Sequence, residues 1–239
     1  MSGRFEGRHV LVAGGTSGIG RSVAEAFARE GAAVVATGLT EAEVQACRTW
    51  PFVVQQLDVT DRNEVAQLIT ALDRLDFLVN CAGTTVRLGR EHEPEVFERV
   101  IGVNLVGAMR LCASCKPLLA RHGGAVVNVA SMLSYFGSPY VPGYSASKGG
   151  VVQLTKSLAV AWAADGVRVN AVAPGWIRTA LTQPIQDDPV RSEAILARTP
   201  MKRWGLPEDV AGPVLFLCSP EAAFITGAVL PVDGGYLCC

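Results

Sequence analysis

Tyr144 and Lys148 stand four residues apart in the segment 142–148, Pro-Gly-Tyr-Ser-Ala-Ser-Lys, a spacing that puts both side chains on one helical face. A free phenol, with a pKa near ~10, carries protons poorly at neutral pH, but a cation beside it favours the phenolate and brings it toward the working range. Such a pair alone is more often a surface contact. Ser131 adds weight, because it ends the apolar run 125–131, Ala-Val-Val-Asn-Val-Ala-Ser, thirteen residues before Tyr144. A hydroxyl there could hydrogen-bond a substrate oxygen and hold it against the phenol.

A second constellation lies near the N-terminus. The run 10–20, Val-Leu-Val-Ala-Gly-Gly-Thr-Ser-Gly-Ile-Gly, leads from an apolar stretch into an amphipathic one. Gly14 suits a tight turn, Gly18 lets backbone approach a pyrophosphate, and Gly20 permits close packing of helix on sheet. The helix N-terminus behind them offers free N–H groups and a partial positive charge.

Positioning these residues requires strands and helices in alternation. Apolar runs at 9–13, 33–37, 52–56, 77–80, 125–130, 167–173 and 229–232 read as strands, several of them near-continuous as in parallel strands covered on both faces. Helical patterns fall at 18–30, 41–49, 62–71, 94–120, 144–163 and 207–217. The pattern predicts one α/β domain over 1–239, a single-domain doubly wound (Rossmann-type), mostly parallel seven-stranded sheet with helices on both faces. Residues 179–204 break the rhythm, with Pro184, Pro189 and Pro200 and no strand pattern. An insert after a late strand lies near the carboxyl ends of the strands, so a mobile substrate lid with short helices is expected there.

Composition excludes several other functions. With 239 residues, 49% hydrophobic and 18% charged, the chain can bury a large core. A balance of 21 basic against 22 acidic residues without a basic run leaves no footprint for nucleic acid or an anionic membrane. No stretch reads as a signal peptide or membrane span, so a cytoplasmic protein is expected. Seven scattered cysteines do not form a secreted disulfide framework. Cys112 and Cys115 have redox spacing but sit within a helical stretch, and His9, His92 and His122 have no ligand spacing, so no metal is expected.

The G-x-x-x-G-x-G spacing of Gly14, Gly18 and Gly20, joined to Ser131, Tyr144 and Lys148, resembles the short-chain dehydrogenase/reductase family, and the likeness runs along almost the whole chain. Asn104 in Val103-Asn-Leu-Val-Gly107 is similar to the family's helix-interrupting asparagine. Segment 80–83, Asn-Cys-Ala-Gly, resembles the family's Asn-Ala-Ala-Gly, and Asp58-Val59 its adenine-contacting pair. Segment 174–179, Pro-Gly-Trp-Ile-Arg-Thr, resembles its nicotinamide-contacting turn, and segment 232–235 its terminal Val-Asp-Gly-Gly. Ala13 and Cys81 depart from it by small substitutions.

The resemblance implies an NAD(P)-dependent oxidoreductase that interconverts a secondary alcohol and a ketone. Tyr144 would move the proton, Lys148 lower the tyrosine pKa and hold the nicotinamide ribose, Ser131 orient the substrate oxygen, and Asn104 support a water relay. Implied cofactor contacts are Gly14, Thr16, Ser17, Gly18, Ile19, Gly20, Gly38, Leu39, Asp58, Val59, Asn80, Ala82, Gly83, Tyr144, Lys148, Pro174, Gly175, Ile177 and Thr179. Leu133 and Trp176 are expected to wall the substrate site beside Ser131 and Tyr144. Arg87 and Arg178, near the rim, could grip a carboxylate, although a solvated arginine is the plainer reading.

At the end of the second strand Gly38 replaces the acid that would accept the ribose hydroxyls of NAD, and Leu39 the arginine that would accommodate the phosphate of NADP. Ser17 also stands where NADP-preferring relatives often carry a cation. With no charge to meet a phosphate, NAD is favoured over NADP. Sugar acids, cyclic alcohols and 3-oxoacyl compounds are all candidate substrates. A homotetramer through the helices near Pro94 and Tyr144 is the expected assembly. The alternative is a catalytically silent nucleotide-binding or scaffold protein of the same fold. An epimerase or dehydratase would need a longer substrate domain.

Overall fold

In the computed structural model, which describes residues 3–239, alternate residues of the first strand serve opposite faces of one sheet. Val10 and Val12 of β1 (His9–Ala13) pack with Val23 and Phe27 of α1 (Gly18–Arg29) and Val214 of α9 (Pro207–Cys218). Leu11 and Ala13 pack on the other face with Leu68 of α3 (Arg62–Thr70), Leu111 of α5 (Ala108–Ala120) and Trp162 of α6 (Pro142–Trp162). This two-fold period buries both faces.

The remaining strands are β2 (Ala33–Gly38), β3 (Val53–Gln56), β4 (Phe77–Asn80), β5 (Ala125–Val129), β6 (Arg168–Pro174) and β7 (Val229–Val232). They form a seven-stranded sheet in the order β3-β2-β1-β4-β5-β6-β7. All six pairings are parallel, which is stricter than the mostly parallel sheet expected. The order reverses between β1 and β4. In an open parallel sheet that reversal opens a crevice beyond the carboxyl ends of the strands. The Gly14–Gly20 loop, Asn80 and Ser131 all belong to that end.

One expected element is divided. The pattern at 94–120 reads as a single helix, but the chain forms α4 (Pro94–Ile101), then a π-helical turn (Gly102–Gly107), then α5. A Cβ on Gly107 would lie 2.6 Å from Cγ2 of Val59, so the glycine lets the turn close on the loop after β3. The widened turn also aims Asn104 inward, where it is 1% exposed.

The short α2 (Glu41–Ala46) follows β2. The excursion expected at 179–204 contains the short helices α7 (Gln183–Gln186) and α8 (Pro189–Arg198). Ile185, Ile195 and Trp204 form a small core of their own with Trp176 and Leu196 packed against it. No helix among the described residues is long and apolar enough to cross a membrane.

Candidate active site

The glycine loop has the geometry that its spacing implies. Gly14 has φ +74° and Gly18 φ +52°, both in the left-handed region. A Cβ on Gly14 would stand 2.6 Å from the Ala82 nitrogen, and one on Gly20 would stand 2.0 Å from the Gly14 carbonyl oxygen. Ser17 caps α1 in an extended conformation without a side-chain hydrogen bond. The N-terminal N–H groups of α1, with Thr16 and Ile19 at either side, are therefore available to an anion. Thr179 closes over the same loop, its Cγ2 3.2 Å from where a Cβ on Gly18 would sit.

Buried amides fix the other side of the crevice. Register pairs Asn80 with Asn128 on neighbouring strands. Asn80 Nδ2 donates to Asn128 Oδ1 at 2.8 Å and to the Cys112 sulfur at 3.2 Å, and Asn128 Nδ2 donates to the Thr155 hydroxyl at 2.9 Å. This chain of bonds pins α6 to the middle of the sheet. The Asn80 side chain is thus held inside the fold, and Ala82 and Gly83 carry the backbone past Gly14 and Lys148.

Tyr144 and Lys148 lie near the start of α6, Ser131 just beyond β5. Lys148 Nζ sits 5.6 Å from the Tyr144 ring centroid and donates to the Val129 carbonyl at 2.7 Å. Burial pushes the Lys148 amine down to about 8, while the nearby Cys81 opposes the fall. Burial likewise pushes the Cys81 thiol up to about 12, which makes it inert as a nucleophile. Burial raises the Tyr144 phenol, a Ser131 hydrogen bond opposes the rise, and the charge of Glu91 adds to it. In this geometry a Ser131 hydrogen bond favours the phenolate, and the Lys148 amine stands beside the same ring.

Asn104 uses its whole amide on the protein. Its Oδ1 accepts from the Thr84 N–H at 2.7 Å, and its Nδ2 donates to the Thr84 carbonyl at 2.9 Å and to the Ser147 hydroxyl at 3.0 Å. It clamps the loop after β4 to α6. Leu133, half-buried, donates its N–H to the Ser131 hydroxyl at 3.1 Å. Trp176 packs edge-to-face on Trp204, ring centroids 5.8 Å apart, and its Nε1 is buried without a partner among the described residues. It lines a cavity of about 360 Å³ with Ile177, Thr199, Met201 and Asp233, which Ser131, Tyr144 and Lys148 do not line. The side chain of Asp58 accepts the Thr60 N–H and hydroxyl, and Val59 is buried against the π-helical turn. A Cβ on Gly175, in the turn after Pro174, would be 2.7 Å from Asp233 Cα, so the terminal segment backs that turn.

Two acids were missed in the sequence. Glu91 is fully buried and accepts from the Thr85 hydroxyl, the Val86 N–H and the Tyr144 N–H, each at 2.7 Å. Glu43 reaches back from the first turn of α2 to the end of β2. Its Oε2 accepts from the Leu39 N–H at 2.7 Å, and a Cβ on Gly38 would stand 2.8 Å from that oxygen. The expected absence of an acid beside Gly38 is thereby corrected: Gly38 has none, but Glu43 occupies the space. Its signal was the capping box formed by Thr40 and Glu43.

A glycine-rich strand-to-helix turn at the reversal of a parallel sheet, facing a serine, tyrosine and lysine, defines a nicotinamide-nucleotide oxidoreductase. The family model described as enoyl-(acyl carrier protein) reductase matches residues 13–237. The chain is 39% identical to a 2-dehydro-3-deoxy-D-gluconate 5-dehydrogenase of Pseudoalteromonas atlantica, over 98% of this chain and 97% of that protein. It is 38% identical to a 3-oxoacyl-[acyl-carrier-protein] reductase of Thermotoga maritima, over 97% and 98%. A solved structure described as an NAD(P)-dependent gluconate 5-dehydrogenase of Beutenbergia cavernae, with NADP at low occupancy, superposes with a TM-score of 0.90. The two chains are 40% identical over 99% and 100%. The chain belongs to the short-chain dehydrogenase/reductase family and is an NAD(P)-dependent dehydrogenase acting on CH–OH groups.

Proposed function

We propose that the protein interconverts the secondary alcohol and the ketone of a compact hydroxy acid, with NAD as the preferred cofactor. The observation that carries the reaction is the convergence of Ser131, Tyr144 and Lys148 at the carboxyl ends of the central strands. Bound nicotinamide would accept or return the hydride. Ser131 holds the substrate oxygen, Tyr144 takes or gives its proton, and the buried Lys148 ammonium stabilises the phenolate when it forms. Asn104 keeps the Thr84 loop and α6 in fixed relation while the proton moves. Nothing in the site favours a silent scaffold, because all three reacting side chains are present.

The acid function of the substrate is supported by Arg87. Its guanidinium is half-buried in the loop after β4 and donates to the Leu181 carbonyl in the 179–204 segment. Burial and the neighbouring Arg191 push its pKa down. Neither arginine forms an ion pair among the described residues. Two unpaired cations converging where the segment meets the crevice suit a carboxylate better than a thioester. The gluconate-type names of two of the relatives point the same way. On this reading 179–204 is the lid, closing over the acid end of the substrate.

NAD is supported by Glu43. A carboxylate beside Gly38 can accept a ribose hydroxyl and repels a phosphate in its place. A homotetramer is supported by exposed Val106 and Met109 and by the open space over Gly149. The function is tested by a panel of secondary alcohols and their acids with NAD+, followed at the nicotinamide absorbance, with Tyr144→Phe alongside. Tyr144→Phe should lose at least about a hundredfold in kcat with NAD+ binding retained. Near-normal turnover would refute the mechanism.

A further inference from the structure

Helix α6 begins without a local cap. Val141 at its N-cap position offers no side-chain acceptor, yet the first N–H groups of a helix need partners when buried. The Tyr144 N–H finds one in Glu91, 53 residues earlier, at 2.7 Å. Glu91 is 0% exposed, the least exposed charged side chain among the described residues. A serine or aspartate at 141 would satisfy the same N–H without taking a charge out of water, which costs several kcal/mol.

What the distant carboxylate does and a local cap could not is join two parts of the site. Oε1 holds the Thr85 hydroxyl and the Val86 N–H, both at 2.7 Å, next to Arg87 in the loop after β4. Oε2 holds the residue that carries the phenol. The fit is close: a Cβ on Gly143 would lie 3.3 Å from Oε2 and 3.2 Å from the Phe97 ring. We propose that Glu91 is a positioning residue that fixes the Tyr144 phenol relative to the Arg87 loop, and so sets the reach between the reacting oxygen and the acid end of the substrate. The inference rests on Tyr144 being the proton carrier.

The same carboxylate acts on the phenol by charge. The groups facing Tyr144 are Ser131 from beyond β5, Lys148 on α6 with Cys81 behind it, and Glu91 from the turn before α4. Glu91 holds the phenol up where Ser131 pulls it down. Removing the charge therefore moves the ionisation of Tyr144 to lower pH, which loss of packing alone does not do.

The test is Glu91→Gln, whose NH2 places a donor against one of the three donors. Expected are a fall of about tenfold or more in kcat/KM for alcohol oxidation, an unchanged NAD+ Kd by titration calorimetry, and a shift of the Tyr144 limb of the kcat/KM–pH profile to lower pH. Thr85→Val keeps the charge and loosens the loop. It should lower kcat/KM for the hydroxy acid while leaving the limb in place, and it decides the matter should Glu91→Gln fail to fold. Wild-type kcat/KM and an unmoved limb in Glu91→Gln, or wild-type rates in Thr85→Val when that variant decides, overturn the proposal. With Tyr144→Phe inactive, such results sink the role of Glu91 alone. An active Tyr144→Phe sinks that role and the proposed reaction together.

Discussion

Glu43 makes cofactor choice a measurable consequence of one side chain. Its Oε2 lies at the end of β2, held by the Leu39 N–H at 2.7 Å and by the Thr40 N–H at 3.4 Å. Glu43→Gln removes the charge and keeps the shape. Two unit charges about 4 Å apart interact by ~1 kcal/mol in water and more where solvent is excluded. A 2′-phosphate carries about 1.5 to 2 charges, so the repulsion at this exposed position amounts to roughly tenfold in affinity. Loss of a charge-assisted hydrogen bond to the ribose adds a comparable factor against NAD+. The variant should therefore bring the Kd ratio of NADP+ to NAD+ down by about tenfold to a hundredfold. The assay is direct binding of both nucleotides, at low salt and again at 0.5 M, where screening at about 4 Å should compress the difference. Thr40→Ala serves as the control, because it breaks the capping box but leaves the charge, and should lower stability without moving the ratio. Tighter binding of NADP+ than of NAD+ by the wild-type protein, or an unchanged ratio in Glu43→Gln, would refute the reasoning.

Lys148 carries a cost in stability that its removal should reveal. Its folded pKa of about 8 lies below the ordinary 10.5, so between those values the unfolded chain binds the extra proton and stability rises with pH. Below pH 8 the full penalty applies, at most about 3 kcal/mol at 1.36 kcal/mol per pKa unit. Lys148→Met should accordingly melt higher than wild type at pH 7, with the gap closing between pH 8 and 10.5, while activity is lost; a lower Tm at pH 7 would contradict the burial argument. Arg87→Ala should erase most of the preference for a hydroxy acid over its neutral amide, a factor of about ten or more for a charge-assisted contact. Equal preference in variant and wild type, read as the ratio of kcat/KM values, would remove Arg87 from substrate recognition.

Much of the fold was legible because its signals are local. The period-two pattern of β1, the glycine spacing of 14–20 and the buried runs of β4 to β6 each announce themselves within a dozen residues. The interruption at Gly102–Gly107 was not legible as a π-helical turn from composition, since an i→i+5 ladder has none of its own; the resemblance of Asn104 to a helix-interrupting asparagine marked the place, and Gly107 supplies the close approach. Trp176 reads in sequence as a wall beside Ser131 and Tyr144, but an indole so near to Trp204, Ile185 and Ile195 finds more apolar surface within the 179–204 segment. For Glu43 the signal was present and under-used, because a capping box points an acid back toward the residue that precedes its helix.

Glu91 shows why part of a site stays hidden in one sequence. In the chain it is one acid in a charged stretch, Arg90-Glu91-His92-Glu93, whose plain reading is a solvated surface. Its meaning comes from a helix 53 residues away that begins at a valine where a capping residue would be usual. Val141 is thus the local mark, and it is a mark by deficiency: a helix with Tyr144 in its first turn and no local cap must have its buried N–H groups satisfied from elsewhere. Asking which distant acceptor completes an uncapped helix turns that deficiency into a search. Here it leads to a buried acid that also holds the loop bearing Arg87. On the proposed roles, proton transfer at Tyr144 and recognition at Arg87 are tied through a single carboxylate, and a change at either end should be felt at the other.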